Sequence, residues 1–450
     1  MHYLIRGCKA IYQHANQSDL RVEGNRITEI GQQLSPGDAV IVDARDCVLY
    51  PGMVNTHHHL AQSLFKAVPE GLNHGLGDWL ASVPYRFWPY MTADDVYLAA
   101  RLGLAELIRS GATSCADHHY LYHSTGSSEL EAALWQAAED SGIRFTLCRG
   151  GATVKGTHKG LAQAGIEPET LEQALAGLDA SRRRYHQPGA DAMRRLVVAP
   201  TSLIHSSTAE DLRELAAYAR NSSLRMHSHL LEVAFDEQQA RQRHGCSAVE
   251  YAESVDWLGN DVWFAHLVQA TPADIQRLAG SGTGIAHCPT SNGRLGSGIA
   301  PVMAMQEAGM TVSLGVDGAA SSESGSMIQE ANLSWLMQRA AGRSLSPTLD
   351  DAMHWATAAG ADILGLPECG RIEVGMLADL VLYDTSAARY QGMMADVWAP
   401  LLGAEPVTLK ASFINGKAVL QDGVINGLDE EKLAADLQQA RLQLVARANA

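Results

Sequence analysis

A small set of residues in this chain has the types and spacing to do hydrolytic chemistry. His57 and His59 lie in Pro51-Gly52-Met53-Val54-Asn55-Thr56-His57-His58-His59. On an extended chain alternate side chains share a side, so His57 and His59 can reach one metal ion while His58 faces away. Met226-His227-Ser228-His229-Leu230-Leu231-Glu232 adds a second H-x-H, with a carboxylate three residues further on. His266 closes Val262–His266, and Asp317 sits in Gly315-Val316-Asp317-Gly318. Three imidazoles and a carboxylate, with one position left for water, are the donor set of a catalytic zinc site. Such an ion brings the pKa of its water down to about 7 and supplies hydroxide at neutral pH. A lone H-x-H, a buried histidine or an Asp-Gly turn is commonly structural. Their joint occurrence at the ends of separate apolar runs points to a metal. Glu232 is too far along to be a ligand by default, and desolvation there would favour its protonated form.

The elements that must position these residues alternate along the chain. Eight apolar runs are legible: Val48–Asn55, Ala112–Asp117, Phe145–Arg149, Leu196–Pro200, Leu224–His229, Val262–His266, Gly284–His287 and Thr311–Asp317. Between them lie amphipathic stretches with start signals. Thr92 with Asp95, Ser128 with Glu131, Ser207 with Glu210, and Thr271 before Pro272 are expected N-caps. Gly111 and Gly142 are expected stops. Apolar strands alternating with helices imply parallel pairing and right-handed crossovers. Eight such units predict a (β/α)8 barrel, with its site at the C-terminal mouth of the strands. An open doubly wound sheet is disfavoured, because no Gly-rich phosphate fingerprint follows the first run.

The two ends differ from the middle. Tyr3–Ile5, Leu20–Val22 and Arg26–Ile30 alternate as short strands, as do Asp379–Tyr383 and Thr408–Ile414; Asn415-Gly416 is a hairpin signal before Lys417–Leu420. The expected organisation is residues 1–50 and 366–450 joined in one small β-sandwich, with the barrel in 51–365 and a terminal helix from Asp429 to Ala450. The formal net charge is -16, which argues against polyanion binding and nucleic acid. The seven cysteines form no C-x-x-C pair, which suits reduced thiols and a cytoplasmic location. No signal-peptide layout and no run of about 18 apolar residues is present, so no membrane partner is expected.

These motifs resemble the amidohydrolase superfamily, in its guanine-deaminase-like branch with a single metal. PGMVNTHHH resembles the family's PG-(F/L)-(V/I)-N-x-H-x-H element, and His229-Leu230-Leu231-Glu232 resembles its H-x-x-E. Trp263-Phe264-Ala265-His266 and Asp317 resemble its strand-six histidine and strand-eight aspartate. The run from Gly370 to Val381 resembles G-x-I-x-x-G-x-x-A-D-(L/I)-V, which leads into the C-terminal sandwich strands. The resemblance implies that His57, His59, His229 and Asp317 hold one Zn²⁺ per chain, with Fe²⁺ as the alternative. It implies that Asp317 also takes a proton from water, that Glu232 protonates a ring nitrogen, and that His266 polarises the developing oxyanion. His227 is left as an outer support or a pocket wall. The fourth run, Val197-Val198-Ala199-Pro200-Thr201, has no bridging lysine, which fits one metal.

Within that branch, His57–Leu64, Trp79–Phe87, Leu147–Thr153, Ala286–Leu295 and Gly318–Ser321 resemble the isoxanthopterin deaminases. The resemblance implies hydrolytic removal of the 2-amino group of a pterin-like heterocycle, such as isoxanthopterin or pterin-6-carboxylate, with release of ammonia. Within the same enzyme class the alternatives are an 8-oxoguanine or guanine deaminase and a triazine aminohydrolase. Outside it, a non-catalytic scaffold would be expected to have lost metal ligands. A flat polar heterocycle needs an aromatic wall and a few fixed hydrogen bonds. Gln62 and Arg149 are expected substrate contacts, as are Thr201, Trp79, Tyr85 and Trp88. Ser291 and Asn292 are expected to shape the mouth. A homo-oligomer is expected from the family analogy.

Overall fold

The computed structural model describes residues 2–124, 126–156, 165–342 and 345–450. Eight parallel strands follow one another in chain order: Met53–Asn55, Ala112–His119, Arg144–Arg149, Arg194–Val198, Arg225–Leu230, Val262–His266, Gly284–His287 and Val312–Leu314. The first and eighth meet through Thr56 N donating to Leu314 O at 3.0 Å and Asp317 N donating to His57 O at 3.0 Å. This is the (β/α)8 barrel that the alternating runs predict, and the strand ends carrying the histidines share one mouth.

Two of the predicted runs are each two strands. Val48–Asn55 divides at Gly52. Cys47–Pro51 pairs antiparallel with Leu380–Asp384 outside the barrel, and only Met53–Asn55 joins the barrel. The chain changes sheet at Gly52, where a Cβ would lie 2.1 Å from Thr113 Oγ1, so no larger residue fits. Thr311–Asp317 divides too: Val312–Leu314 is the barrel strand, and Asp317–Gly318 pairs separately with His58–His59.

The helix starts are close to expectation, with two corrections. Thr92 and Thr271 each form a full capping box, with Asp95 and Asp274. Ser128 is the first helical residue rather than the cap, and Glu131 instead accepts from the Tyr122 hydroxyl at 2.8 Å. Thr208, not Ser207, caps the helix Ala209–Asn221 and accepts from Asp211 N. In the second case neighbouring hydroxyls offered equivalent caps to a pattern read one residue at a time.

Strands from both ends form two further sheets. One contains Arg26–Gly31, Asp19–Glu23, His2–Arg6 and Val40–Asp43; the other is built on Cys47–Pro51, Leu380–Asp384, Leu409–Ile414 and Lys417–Gln421. Tyr3, Ile5, Leu20, Val22, Leu49, Leu382 and Phe413 fill the space between them. Asn415 and Gly416 both have positive φ, 51° and 72°, as the hairpin signal requires. A fully buried Arg144–Asp379 pair, bonded at 3.0 and 3.1 Å, ties the third barrel strand to this module. The terminal helix spans Glu430–Ala448, capped by Asp429. No helix among the described residues is long and apolar enough to cross a membrane.

Candidate metal centre

At the barrel mouth the imidazole tautomers follow from their partners. His59 Nδ1 lies 2.7 Å from His118 O, and His229 Nδ1 lies 2.6 Å from Thr201 O. A carbonyl only accepts, so both Nδ1 atoms carry the proton and both Nε2 atoms are lone pairs. His57 follows through one more step. His227 Nδ1 donates to Trp263 O at 2.9 Å, so its Nε2 accepts from His57 Nδ1 at 2.8 Å. His57 Nε2 is therefore a lone pair, buried and without a hydrogen-bond partner. Burial keeps the rings of His57, His227 and His229 neutral: it pushes the His57 pKa down to about 4 and holds those of His227 and His229 well below the ordinary value.

The lone pairs converge on one point. His59 Nε2 is 3.2 Å from His229 Nε2 and 3.2 Å from Asp317 Oδ1, and His57 Nε2 is 3.4 Å from the same oxygen. In these tautomers no proton sits between the acceptors, and a cation at their centre relieves the repulsion. Two ligands about 2.0–2.1 Å from a tetrahedral ion stand about 3.4 Å apart, so the donor set fits a zinc-sized ion. His57, His59 and Asp317 form a potential metal-holding group, and His229 belongs to two others that overlap it. The fourth barrel strand, Arg194–Val198, contributes no lysine.

Asp317 and His266 are aimed by unusual backbone. His266 has φ 76° and Asp317 φ 59°, with Leu231 at 55° just before Glu232. Non-glycine residues there cost about 1–3 kcal/mol each and cluster where a site over-determines them. The Ser291 hydroxyl donates to Asp317 Oδ2 at 2.5 Å, and Gly318 N donates to its Oδ1 at 2.7 Å. Gly318 packs so closely on Gln62 that a Cβ would fall 1.9 Å from Gln62 Oε1. His266 Nδ1 donates to Asn292 Oδ1 at 2.8 Å, leaving Nε2 facing Glu232 Oε2 at 3.6 Å. Burial raises the Glu232 pKa to about 7. For His266, burial opposes the charged form, but the Glu232 and Asp317 carboxylates outweigh it and the pKa rises. Glu232 N donates to Asp236 Oδ2 at 2.9 Å, and His205 Nε2 lies 3.0 Å from Asp236 Oδ1.

One cavity collects these groups with an aromatic wall. His59, His229, Glu232, His266 and Asp317 line it, as do Gln62, Trp79, Tyr85, Trp88 and Thr201. Gln62 Nε2 donates to the Tyr120 hydroxyl at 2.7 Å, leaving Oε1 buried and unpartnered. Trp88 lies 4.0 Å from the Tyr120 ring and 4.9 Å from Tyr85. Thr201 works partly through its backbone, as the carbonyl that orients His229.

Arg149 is a correction. Its side chain turns away from the cavity, pairs with Glu169 at 2.9 Å and Glu131 at 3.5 Å, and lies over the Tyr122 ring at 3.9 Å. A guanidinium buried at the end of a strand needs carboxylates, and two are in place. His58 also sits outside the cluster: its Nδ1 accepts from His59 N at 2.7 Å.

Sequence reasoning passed over His118, Tyr120 and the buried Asp236. The second run reads as ending at Asp117, whereas the strand continues to His119. Extending the run by one residue would have placed His118 beside the ligands; its ring centroid is 4.7 Å from that of His229. Ser291 and Asn292 shape the mouth by holding Asp317 and His266.

Comparison with known proteins identifies the family. Residues 48–427 match the family model described as "Amidohydrolase family". The chain is 42% identical over 442 residues to an isoxanthopterin deaminase from an unknown prokaryotic organism, covering 95% of this chain and 92% of that protein. It is 37% identical over 437 residues to 8-oxoguanine deaminase from Pseudomonas aeruginosa, covering 95% of each. Its fold is similar to the crystal structure of an amidohydrolase from an environmental sample of the Sargasso Sea, with TM-score 0.85, 38% identity and full coverage of both chains. At 24% identity, an atrazine chlorohydrolase from Arthrobacter aurescens complexed with zinc shares the fold with TM-score 0.90 over 98% of this chain and 100% of that one. The chain belongs to the amidohydrolase family, among its aminohydrolases.

Proposed function

We propose that this aminohydrolase removes the 2-amino group of a pterin-like heterocycle by hydrolysis, releasing ammonia. The observation that carries the reading is the convergence of the Nε2 atoms of His57, His59 and His229 with Asp317 beside Glu232, whose pKa is raised to about 7. His57, His59, His229 and Asp317 would hold one zinc ion. When bound, that ion acidifies a water so that hydroxide is available near neutral pH. The chain's own groups then divide the proton work. Asp317, steadied by Ser291, accepts a proton on a carboxylate oxygen. Glu232, protonated at pH values below about 7, donates to the ring nitrogen beside the amino-bearing carbon. The oxygen of the deprotonated water bonds to that carbon, which becomes tetrahedral as the C=N π pair moves to the protonated ring nitrogen, and His266 faces the charge on the new oxygen. The proton held by Asp317 then passes to the exocyclic nitrogen, the C–N bond breaks to release ammonia, and the hydroxyl proton returns to Glu232 as the ring carbonyl forms. The wall of Trp79, Tyr85 and Trp88 covers the ring and excludes water. Gln62 Oε1, which lacks a partner, accepts from a ring N–H.

The pterin assignment is supported by the identity to an isoxanthopterin deaminase. A panel of isoxanthopterin, pterin-6-carboxylate, 8-oxoguanine, guanine and an aminotriazine, assayed by ammonia release, tests it. Turnover of 8-oxoguanine with both pterins inert would overturn the substrate. Elemental analysis of protein grown with zinc tests the ion; well below one metal per chain would overturn the metal assignment.

A further inference from the structure

We infer that Arg447, in the last turn of the terminal helix, is a positioning residue for the aromatic wall and thereby sets substrate affinity. The inference rests on reading the Tyr85–Trp88 face of the cavity as the substrate's cover. That face belongs to two short turns, the helix Pro84–Phe87 and the 3-10 turn Trp88–Tyr90. Turns of this length have few internal hydrogen bonds, so their placement depends on neighbours.

The neighbour is the terminal helix Glu430–Ala448, which packs on both turns and on the helix Ala93–Arg109. Leu444 and Ala440 are buried against the main core. Beside them Arg447 makes a fixed bridge. Its Nε donates to Tyr90 O at 3.0 Å, and its Nη2 donates to Asp95 Oδ2. Asp95 is nearly buried and is already committed to the capping box of Ala93–Arg109, accepting from Thr92 N at 2.8 Å. One guanidinium therefore joins the end of the aromatic segment to the start of a barrel helix, in a fork that Lys cannot reproduce. Two residues on, Asn449 Oδ1 accepts from Arg86 Nη2 at 3.0 Å, which holds the segment's other turn. The far end of the same helix is fastened separately, by Glu430 to Arg109, away from the segment.

That separation gives the test. Arg447→Gln and Glu430→Gln each remove one charged tie of the same helix. With the substrate from the panel that turns over, Arg447→Gln should raise KM about fivefold with kcat within about twofold, the mark of lost ground-state binding. Arg447→Lys should restore only part of the loss, and Glu430→Gln should leave KM unchanged. Acrylamide quenching of Trp88, taken as the difference from the Trp88→Phe protein, should increase in Arg447→Gln only. An unchanged KM in Arg447→Gln, or an equal rise in Glu430→Gln, would overturn the inference. If wild type turns over nothing in the panel, the deaminase reading fails, and the quenching comparison still decides the role of Arg447.

Discussion

The two ends of the cavity are built on different principles. At the inner end every candidate ligand ring has its second nitrogen fixed: His59 by His118 O, His229 by Thr201 O, and His57 by the chain through His227 to Trp263 O. These partners lie on or directly after barrel strands, so the lone pairs are set before any ion arrives. At the outer end the wall comes from loop turns: Trp79 Nε1 donates to Ala320 O at 3.2 Å, but two other polar atoms are left open. Gln62 Oε1 and Trp88 Nε1 are both buried without partners. A site that must place a cation tolerates little error, whereas a site that grips a ring needs free donors and acceptors.

The sharpest way to break this comparison is to remove a proton carrier at the inner end. Glu232→Gln keeps the side chain's size and the Glu232 N to Asp236 bond. It should lower kcat by about 10²–10⁴-fold while the metal content stays at wild-type level. Loss of less than about tenfold would mean that another group carries the proton.

A smaller effect is expected one layer out. His227→Phe leaves His57 Nδ1–H without its acceptor, so the ring can turn. Metal affinity should fall about 10–100-fold in competition with a chelating indicator, and excess zinc should restore turnover. If metal affinity is unchanged, His227 is only part of the wall.

A subtler test concerns what holds Ser291 and Asn292. Both sit on the short helix Pro289–Arg294, and Glu330 accepts from Thr290 N at 3.3 Å. Burial raises the Glu330 pKa to about 8, against an ordinary 4.5. The folded state therefore binds the proton more tightly than the unfolded state between those values. Stability from this group is full below pH 4.5 and declines as pH rises towards about 8. Glu330→Gln should flatten that decline in Tm between pH 5 and 8. A Tm profile parallel to wild type would show that Glu330 is ionised throughout.

The same contrast explains what was legible in the sequence. The barrel and the candidate ligands could be read because strand alternation and strand-end position are local properties of the chain. His227 could be counted but not assigned, because its role depends on Trp263 O, a carbonyl from the neighbouring strand. The need for glycine at the strand break was invisible because Thr113, which leaves no room for a Cβ at residue 52, arrives from a different strand. The capping shift from Ser207 to Thr208 came from adjacent hydroxyls of equal propensity. Arg149 was misread for a deeper reason. The carboxylates of Glu131 and Glu169 lie on neighbouring elements, and nothing in the run Phe145–Arg149 shows that they point inward.

Arg149 accordingly defines the boundary between the two ends, and the smallest effect on turnover is expected there. It braces Tyr122, a cavity residue, from behind while its charge is spent on Glu169 and Glu131. Removing it alone leaves two carboxylates buried without a cation, which costs about 3–5 kcal/mol and confuses the result with unfolding. Arg149→Met combined with Glu169→Gln removes most of that charge imbalance. Measured at 15 °C in protein shown to be folded by circular dichroism, this double variant should keep kcat/KM within about threefold of wild type, because no substrate hydrogen bond is lost. A KM more than about tenfold higher for substrates bearing a ring carbonyl, but not for a triazine lacking one, would put Arg149 back in contact with substrate. It would also mean that the buried ion pair opens when substrate binds.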